Sequence, residues 1–142
     1  MISNPNILAK INRALLSCRF QISQRGAIMT IFRICLALML AILLAYTAVV
    51  ISNHGWDLLS VFFADMAKMQ WPGQFNLDFM FMLSLSGLWV GWRHQFSPIG
   101  LGLAVLAFFG GAAFLSTYLL IISVQSKGDV RAILLGSQRV NT

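Results

Sequence analysis

The chain has 142 residues, of which 58% are apolar and 10% charged, and its mean hydropathy is +0.80. Soluble domains carry about 25% charged residues, and a chain this short buries too small a share of its surface to hide so much apolar area from water. A soluble globular domain is therefore a poor fit, and lipid is the expected solvent.

Ten Lys and Arg face four acidic residues, a net charge of +6. In a membrane protein such a surplus is first a topology signal and an attraction to anionic headgroups. The basic residues are scattered, with no helix-turn-helix or zinc-finger spacing to organise them, so no nucleic-acid partner is expected. The two cysteines, Cys18 and Cys35, give no disulfide framework and no CxxC or Cys/His pattern.

Residues 1–27 read as a basic amphipathic helix. Pro5 follows the polar Asn4, and Ile7, Ile11, Leu15, Cys18 and Ile22 recur at helical spacing, with Lys10 and Arg13 off that stripe. Such a helix would lie on an anionic surface with Lys10, Arg13, Arg19 and Arg25 at headgroup level; the competing reading is a disordered basic tail. The stretch is long for a charged leader and no small-x-small cleavage site follows it.

Residues 28–125 form the expected membrane domain. Its first span covers about 29–52, with Arg33 one turn in and placed to snorkel to the headgroups. Ala37, Ala41, Ala45 and Ala48 make one small-residue face, of the kind that lets another backbone approach. An interfacial helix is expected over about 56–70, where Trp56, Leu59, Phe63 and Met66 share a face and Asp57, Asp65 and Lys68 do not. Pro72-Gly73 reads as the break that ends it.

The second span is expected at 75–92. From Phe79 to Trp92 a helix would be only about 21 Å long, against a hydrocarbon core of about 30 Å, so it must start near Phe75 and bring Asp78 to the membrane edge. Asn76 then reads as the helix cap and Asp78 as a first-turn acid favoured by the helix dipole, with Lys68 its nearest cation. The competing reading makes Asp78 an ion or proton ligand, because ionisable groups inside spans are costly.

The third span is expected at 98–122, opened by a Ser97-Pro98 cap. Gly100, Ala104, Ala107 and Gly111 line one face of it, and Gly87 and Gly91 stand at GxxxG spacing in the second span. These small residues serve either packing within the chain or association with another protein. Residues 126–142 form a polar tail in which Asp129 would cap a last short helix, VRAILL.

Three spans put the termini on opposite sides. With the N-terminus inside, Lys10, Arg13, Arg19, Arg25, Arg33 and Arg93 are cytoplasmic, Arg33 and Arg93 at headgroup level, while Lys68, Lys127, Arg131 and Arg139 are outside. The predicted class is thus an all-helical membrane protein with three spans, a basic amphipathic N-terminal helix and an interfacial helix.

No nucleophile–base pair, metal cluster or phosphate loop is legible, so no catalytic residue, metal or cofactor is assigned. His54 and His94 flank opposite ends of the bilayer and cannot share one iron. Ser84, Ser86, Ser116 and Thr117 read as hydroxyls bonding their own helix or a neighbour.

The order of parts, an aromatic amphipathic segment (VFFADMAK), a span opening on an aspartate (FNLDFMFMLSLSGLWVGW) and a glycine-rich last span (GLGLAVLAFFGGAAFLSTYLLI), resembles small uncharacterised bacterial inner-membrane proteins over about residues 30–125. The basic leader is not part of that pattern, which leaves both Met1 and Met29 as readings of the start. The resemblance implies a bacterial plasma-membrane location and no established activity. The expected role is a non-catalytic accessory or assembly subunit, with membrane lipids and other membrane subunits, or further copies of itself, as partners. Two other classes stay open: a homo-oligomeric transporter or channel using Asp78 with Asn76, Ser84 and Ser86, and a lipid-modifying enzyme using His54 with Asp57.

Overall fold

The computed structural model describes residues 5–136 and 139; before Gly26 it describes the side chains of Lys10, Asn12, Arg13, Leu15, Leu16 and Gln24 only. The expectations placed on Ile7, Ile11, Cys18, Arg19, Ile22 and Arg25 concern side chains outside the described residues. Five helices and no strand occur among those described: α1 Pro5–His54, α2 Leu58–Ala67, α3 Trp71–Arg93, α4 Pro98–Gln125 and α5 Val130–Leu135. Two segments are long and apolar enough to cross a membrane, Gly26–His54 of α1 and Pro98–Gln125, the whole of α4.

The expected amphipathic helix and first span are one uninterrupted helix, Pro5–His54, with no proline among residues 6–53 to break it. Met29 and Leu36 are buried on this helix, and Phe32, Arg33, Leu40 and Leu43 half-buried. Their spacing of three and four is the stripe that packs on α4.

Helix α3 begins at Trp71 with Gln70 as its N-cap residue, four residues before the expected start. The Pro-Gly pair that reads as a break instead opens the helix: Pro72 sits at its first positions, where a missing N–H costs nothing. Gly73 is buried, and any side chain there would run into the carbonyl oxygen of Asp65 and, at 2.8 Å, the Cα of Met66. The glycine therefore lets α2 and α3 meet backbone to backbone. The interfacial helix is correspondingly shorter than expected, at Leu58–Ala67. It turns Phe62, Asp65 and Met66 toward α3 and leaves Leu59, Phe63 and Trp56 exposed.

The largest departure lies in α4. The Ser97 cap forms as expected, its Oγ accepting from Gly100 N at 3.2 Å. The helix is not one rod, however, because Gly111 adopts φ 53°, ψ −141° and divides it. Gly100 packs on the Cβ of His94, and His94 Nε2 lies 2.8 Å from the hydroxyl of Tyr118. Gly100 and Tyr118 are eighteen residues apart, which a straight helix would separate by about 27 Å. A single histidine touches both, so the chain folds back at Gly111 into a helical hairpin of two short arms, 98–110 and 112–125.

The tip of that hairpin, Gly111, lies level with Leu83 and Phe79 of α3. Along the outgoing arm Gly87 meets the Ala104 carbonyl, and Gly91 lies against Ala104 and the ring of Phe96. The returning arm brings Tyr118, Ile122 and Ser123 back beside Met29, Trp89, Val90 and Ile133 to form the small core. Four helix ends thus gather at one pole: the ends of α3, α4 and α5 and the start of α4, all beside the 26–33 segment of α1. His54, α2 and the start of α3 occupy the other pole.

Candidate functional site

Three arginines organise the crowded pole, and each caps the C-terminal end of a helix it does not belong to. Arg33 of α1 donates from Nη2 to Ser123 O at 2.6 Å and from Nε to Ser123 Oγ at 3.1 Å, in the last turn of α4. Arg93 donates from Nε to Ile133 O at 2.8 Å and from Nη2 to Ala132 O at 3.1 Å, in the last turn of α5. Arg139 donates from Nη2 to Trp92 O at 3.2 Å, at the end of α3, and its guanidinium lies 4.1 Å from the centre of the Trp92 ring. The last carbonyls of a helix have no partner within it and carry the negative end of its dipole. A guanidinium answers both needs. Where little water reaches, it is the side chain suited to several oxygens at once.

The remaining nitrogen of Arg93, Nη1, donates to Tyr118 Oη at 2.8 Å. The phenol accepts that bond, so its own proton is free for His94 Nε2, also at 2.8 Å. With the phenol donating, Nε2 accepts and His94 is the neutral tautomer protonated on Nδ1. Burial, followed by the charge of Arg93, holds the His94 pKa below its ordinary value of 6.5. Tyr118 is buried between Phe114, stacked at 5.9 Å, and Trp89, edge-on at 6.1 Å. Gly136 closes α5 with φ 85°, and a Cβ there would lie 2.9 Å from Arg93 O.

These contacts correct several expectations. Arg33 and Arg93 turn inward, because helix-end carbonyls with acceptor capacity to spare, Ser123 O, Ala132 O and Ile133 O, lie within reach. Asn76 is not a cap: it lies inside α3 and its Nδ2 donates to Phe62 O of α2 at 3.2 Å. Asp78 is consequently two turns into α3, beyond the first turn, and exposed. Lys68 is not its partner, since Lys68 pairs with Asp65 at 2.9 Å. Lys10 and Arg13 are exposed on the N-terminal part of α1.

The small residues divide into two sets. Gly87, Gly91, Gly100 and Ala107 are buried and Ala104 half-buried at the contact of α3 with α4, and Gly111 makes the turn. Ala37, Ala41, Ala45 and Ala48 are all exposed. Ser84, Ser86 and Thr117 bond the carbonyls of Met80, Met82 and Ala113 one turn earlier, as read from sequence; Ser116 is buried. His54 and Asp57 are exposed at the opposite pole from His94.

The chain matches no protein-family model, no characterised protein and no solved structure. Its site has to be read from its own geometry. Tyr118 and Ser123, which complete that site, carry no sequence signal of their own, as each is a common polar residue in an apolar run. Only the count of aromatic and hydroxyl groups near the end of α4 hints that something polar is buried there.

Proposed function

We propose that this chain is a non-catalytic integral membrane protein of the bacterial inner membrane, an accessory or assembly subunit that binds other membrane helices on the alanine face of α1. The observation that carries the reading is the division of small residues. Gly87, Gly91, Gly100, Ala104 and Ala107 pack inside the fold, whereas Ala37, Ala41, Ala45 and Ala48 lie exposed among large apolar neighbours such as Leu38, Ile42 and Leu44. Small residues let helix backbones approach closely in lipid, where van der Waals packing replaces the hydrophobic effect as the attraction.

In the arrangement we propose, α1 crosses the bilayer, α3 crosses back, and α4 enters and returns without crossing. Helix α3 has 23 residues, about 34 Å, which is enough for a core of about 30 Å. Each arm of α4 is only about 20 Å long, too short to cross. Bent backbone at membrane depth is tolerated where protein surrounds it, and Leu83 and Phe79 flank Gly111. Both ends of the chain then share a compartment. Lys10, Arg13, Arg19, Arg25, Arg33, Arg93, Lys127, Arg131 and Arg139 stand on that side, leaving Lys68 alone on the other among ten Lys and Arg. This is a much stronger positive-inside bias than a third crossing would give.

Cross-linking in native membranes through a photoreactive residue in place of the exposed neighbour Leu38, so that Ala41 is kept, tests the role. A captured membrane protein or second copy is expected, lost when Ala41 and Ala45 are enlarged to leucine; a strictly monomeric chain that captures nothing refutes it. Reporters fused to each end test the arrangement, and signals from opposite compartments would exclude it. One observation favours a second reading, a homo-oligomeric proton or ion path: Asp78 makes no hydrogen bond or ion pair among the described residues. An unchanged flux in Asp78→Asn would eliminate that reading.

A further inference from the structure

The crowded pole is strongly cationic in a particular way. Among the described residues Arg33, Arg93 and Arg139 are bonded to carbonyls, hydroxyls and the His94 ring and to no carboxylate, so their charges are oriented but not cancelled. Lys127 and Arg131 are exposed and make no hydrogen bond or ion pair through their side chains among the described residues. Among the described residues the one carboxylate at this pole is Asp129, whose Oδ1 accepts from the backbone N–H of Arg131 at 2.9 Å, a bond that fixes it without cancelling its charge. Five cations thus stand against one acid, an excess of four positive charges.

An open groove of about 1120 Å³ lies beside them, lined by Gly26, Ile28 and Met29 of α1, by Lys127, Gly128 and the carboxylate-bearing Asp129 of the α4–α5 connection, and by Val130 and Arg131 at the start of α5. Its shape follows from the chain. Lys127 at φ 49° and Gly128 at φ 80° end α4 in successive left-handed residues, and their N–H groups bond back to Val124 O and Ser123 O. That turn sets the loop against Met29. Across the groove Gly26 contributes bare backbone, and a Cβ there would meet nothing within 4 Å. The floor leads onto exposed Ile28 and Ile31, where the apolar part of α1 begins.

We propose that this groove seats the headgroup of an anionic phospholipid. Lys127 and Arg131 hold its phosphate, and its acyl chains descend along α1 past Ile28 and Ile31. The occupant is a lipid and not a free phosphate because the cationic rim and the apolar floor are continuous. A soluble anion uses only the first. A phosphate also cancels charge that the fold itself leaves open, and it does so where the arginines fix the ends of three helices. The inference rests on the membrane arrangement proposed above, but it fails separately: a chain dispersed without detergent refutes that arrangement, whereas loss of lipid selectivity in an intact membrane protein refutes only the site.

The test is native mass spectrometry of the full chain in mild detergent, titrated with phosphatidylglycerol or with phosphatidylcholine of the same acyl chains. The wild type is expected to retain phosphatidylglycerol preferentially. A basic group near an anionic lipid surface contributes about fivefold in affinity, so Lys127→Gln with Arg131→Gln should weaken phosphatidylglycerol about 25-fold and weaken phosphatidylcholine, whose ammonium offsets the phosphate charge, far less. Gly26→Leu keeps every charge, puts a side chain where the groove has bare backbone and should also weaken the lipid; it decides the matter if the double variant does not fold. Lys68→Gln, at the other pole, should change nothing. Equal retention of the two lipids, or full affinity in both the double variant and Gly26→Leu, overturns the proposal. Displacement of the lipid by inorganic phosphate or by an acidic peptide at matched concentration overturns it too, since the site would then read the anion alone.

Discussion

Replacing Gly111 with alanine tests the fold where it departs most from a simple span. At φ 53°, ψ −141° this residue occupies a region almost confined to glycine, and a Cβ there costs about 1–3 kcal/mol. In a straightened α4 the same alanine would gain about 1 kcal/mol over glycine from helix propensity. The substitution therefore moves the balance by about 2–4 kcal/mol toward the straight helix. Holding the returning arm are the bonds of Tyr118 to Arg93 and His94, at 2.8 Å each; the neutral one contributes about 1 kcal/mol and the charge-assisted one about 1.5–3 kcal/mol. The bonds of Arg33 to Ser123, at 2.6 and 3.1 Å, add to the hairpin's side, so Gly111→Ala should leave the hairpin the larger population and raise a smaller straight one. Spin labels at Leu101 and Ile121, both about half exposed, report it after Cys18 and Cys35 are replaced by serine. A straight helix puts the labelled backbones about 30 Å apart; the hairpin brings them much closer. The wild type should show the short separation and Gly111→Ala a second population near 30 Å, increased by adding Tyr118→Phe. A wild type already near 30 Å would refute the hairpin.

Three further outcomes follow from named contacts. Arg93→Met removes the bonds to Ala132 O, Ile133 O and Tyr118 Oη and should cost about 2–4 kcal/mol, read as lower thermal stability in detergent and faster amide exchange confined to α5 and the end of α4; unchanged exchange there would contradict the capping role. Because the folded state lowers the His94 pKa below 6.5, it binds fewer protons than the unfolded chain; this contribution to stability is complete above pH 6.5 and lost as pH falls below it through the folded value. His94→Gln should flatten that acid limb, and an identical pH profile would count against the neutral imidazole. Gly73→Ala forces a methyl into the backbone of Asp65 and Met66 and should destabilise by about 1–3 kcal/mol, whereas Gly102→Ala, which meets open space, should be neutral or slightly stabilising; equal effects would remove the packing role of Gly73.

Much of the local structure was legible because it depends on neighbours a few residues away. Ser97 caps α4 and Asp129 caps α5 as their positions suggest, and the serines of α3 bond one turn back. The misreadings all involve competition between a local signal and a distant partner. Asn76 is a good cap by type, but Phe62 O lies within reach fourteen residues away, and Pro72 can start the helix earlier. Arg33 has a stem long enough to reach the headgroups, yet Ser123, ninety residues on, offers two acceptors. Gly111 lies in a small-residue stripe that suits a straight packed helix equally well. Periodicity cannot tell a glycine that permits close approach from one that reverses the chain, because each needs only a missing Cβ.

The reversal at Gly111 and the arginine caps account for each other. A hairpin that returns to its starting pole brings the last carbonyls of α4 level with those of α3 and α5, concentrating helix-end negative potential where water is scarce. Carboxylates would worsen that, and lysine, a strongly hydrated point charge, is less suited to bridging carbonyls and a phenol than guanidinium. Arginine is what the arrangement calls for, and three are present, drawn from α1, from the end of α3 and from the tail. Had α4 crossed instead, Ser123 would lie at the pole away from Arg33, and both would need other partners. In the arrangement we propose, the charge asymmetry along the chain and the fold-back of one glycine-broken helix are one design: the residues that would orient the protein by their charge also fasten its returning arm. Separating the two should be possible. Arg33→Gln retains a donor for Ser123 while removing a charge, so it should weaken orientation more than packing. An Arg33→Gln chain whose topology is intact but whose α4 has come loose would show that fastening, and not charge, is the main reason for arginine there.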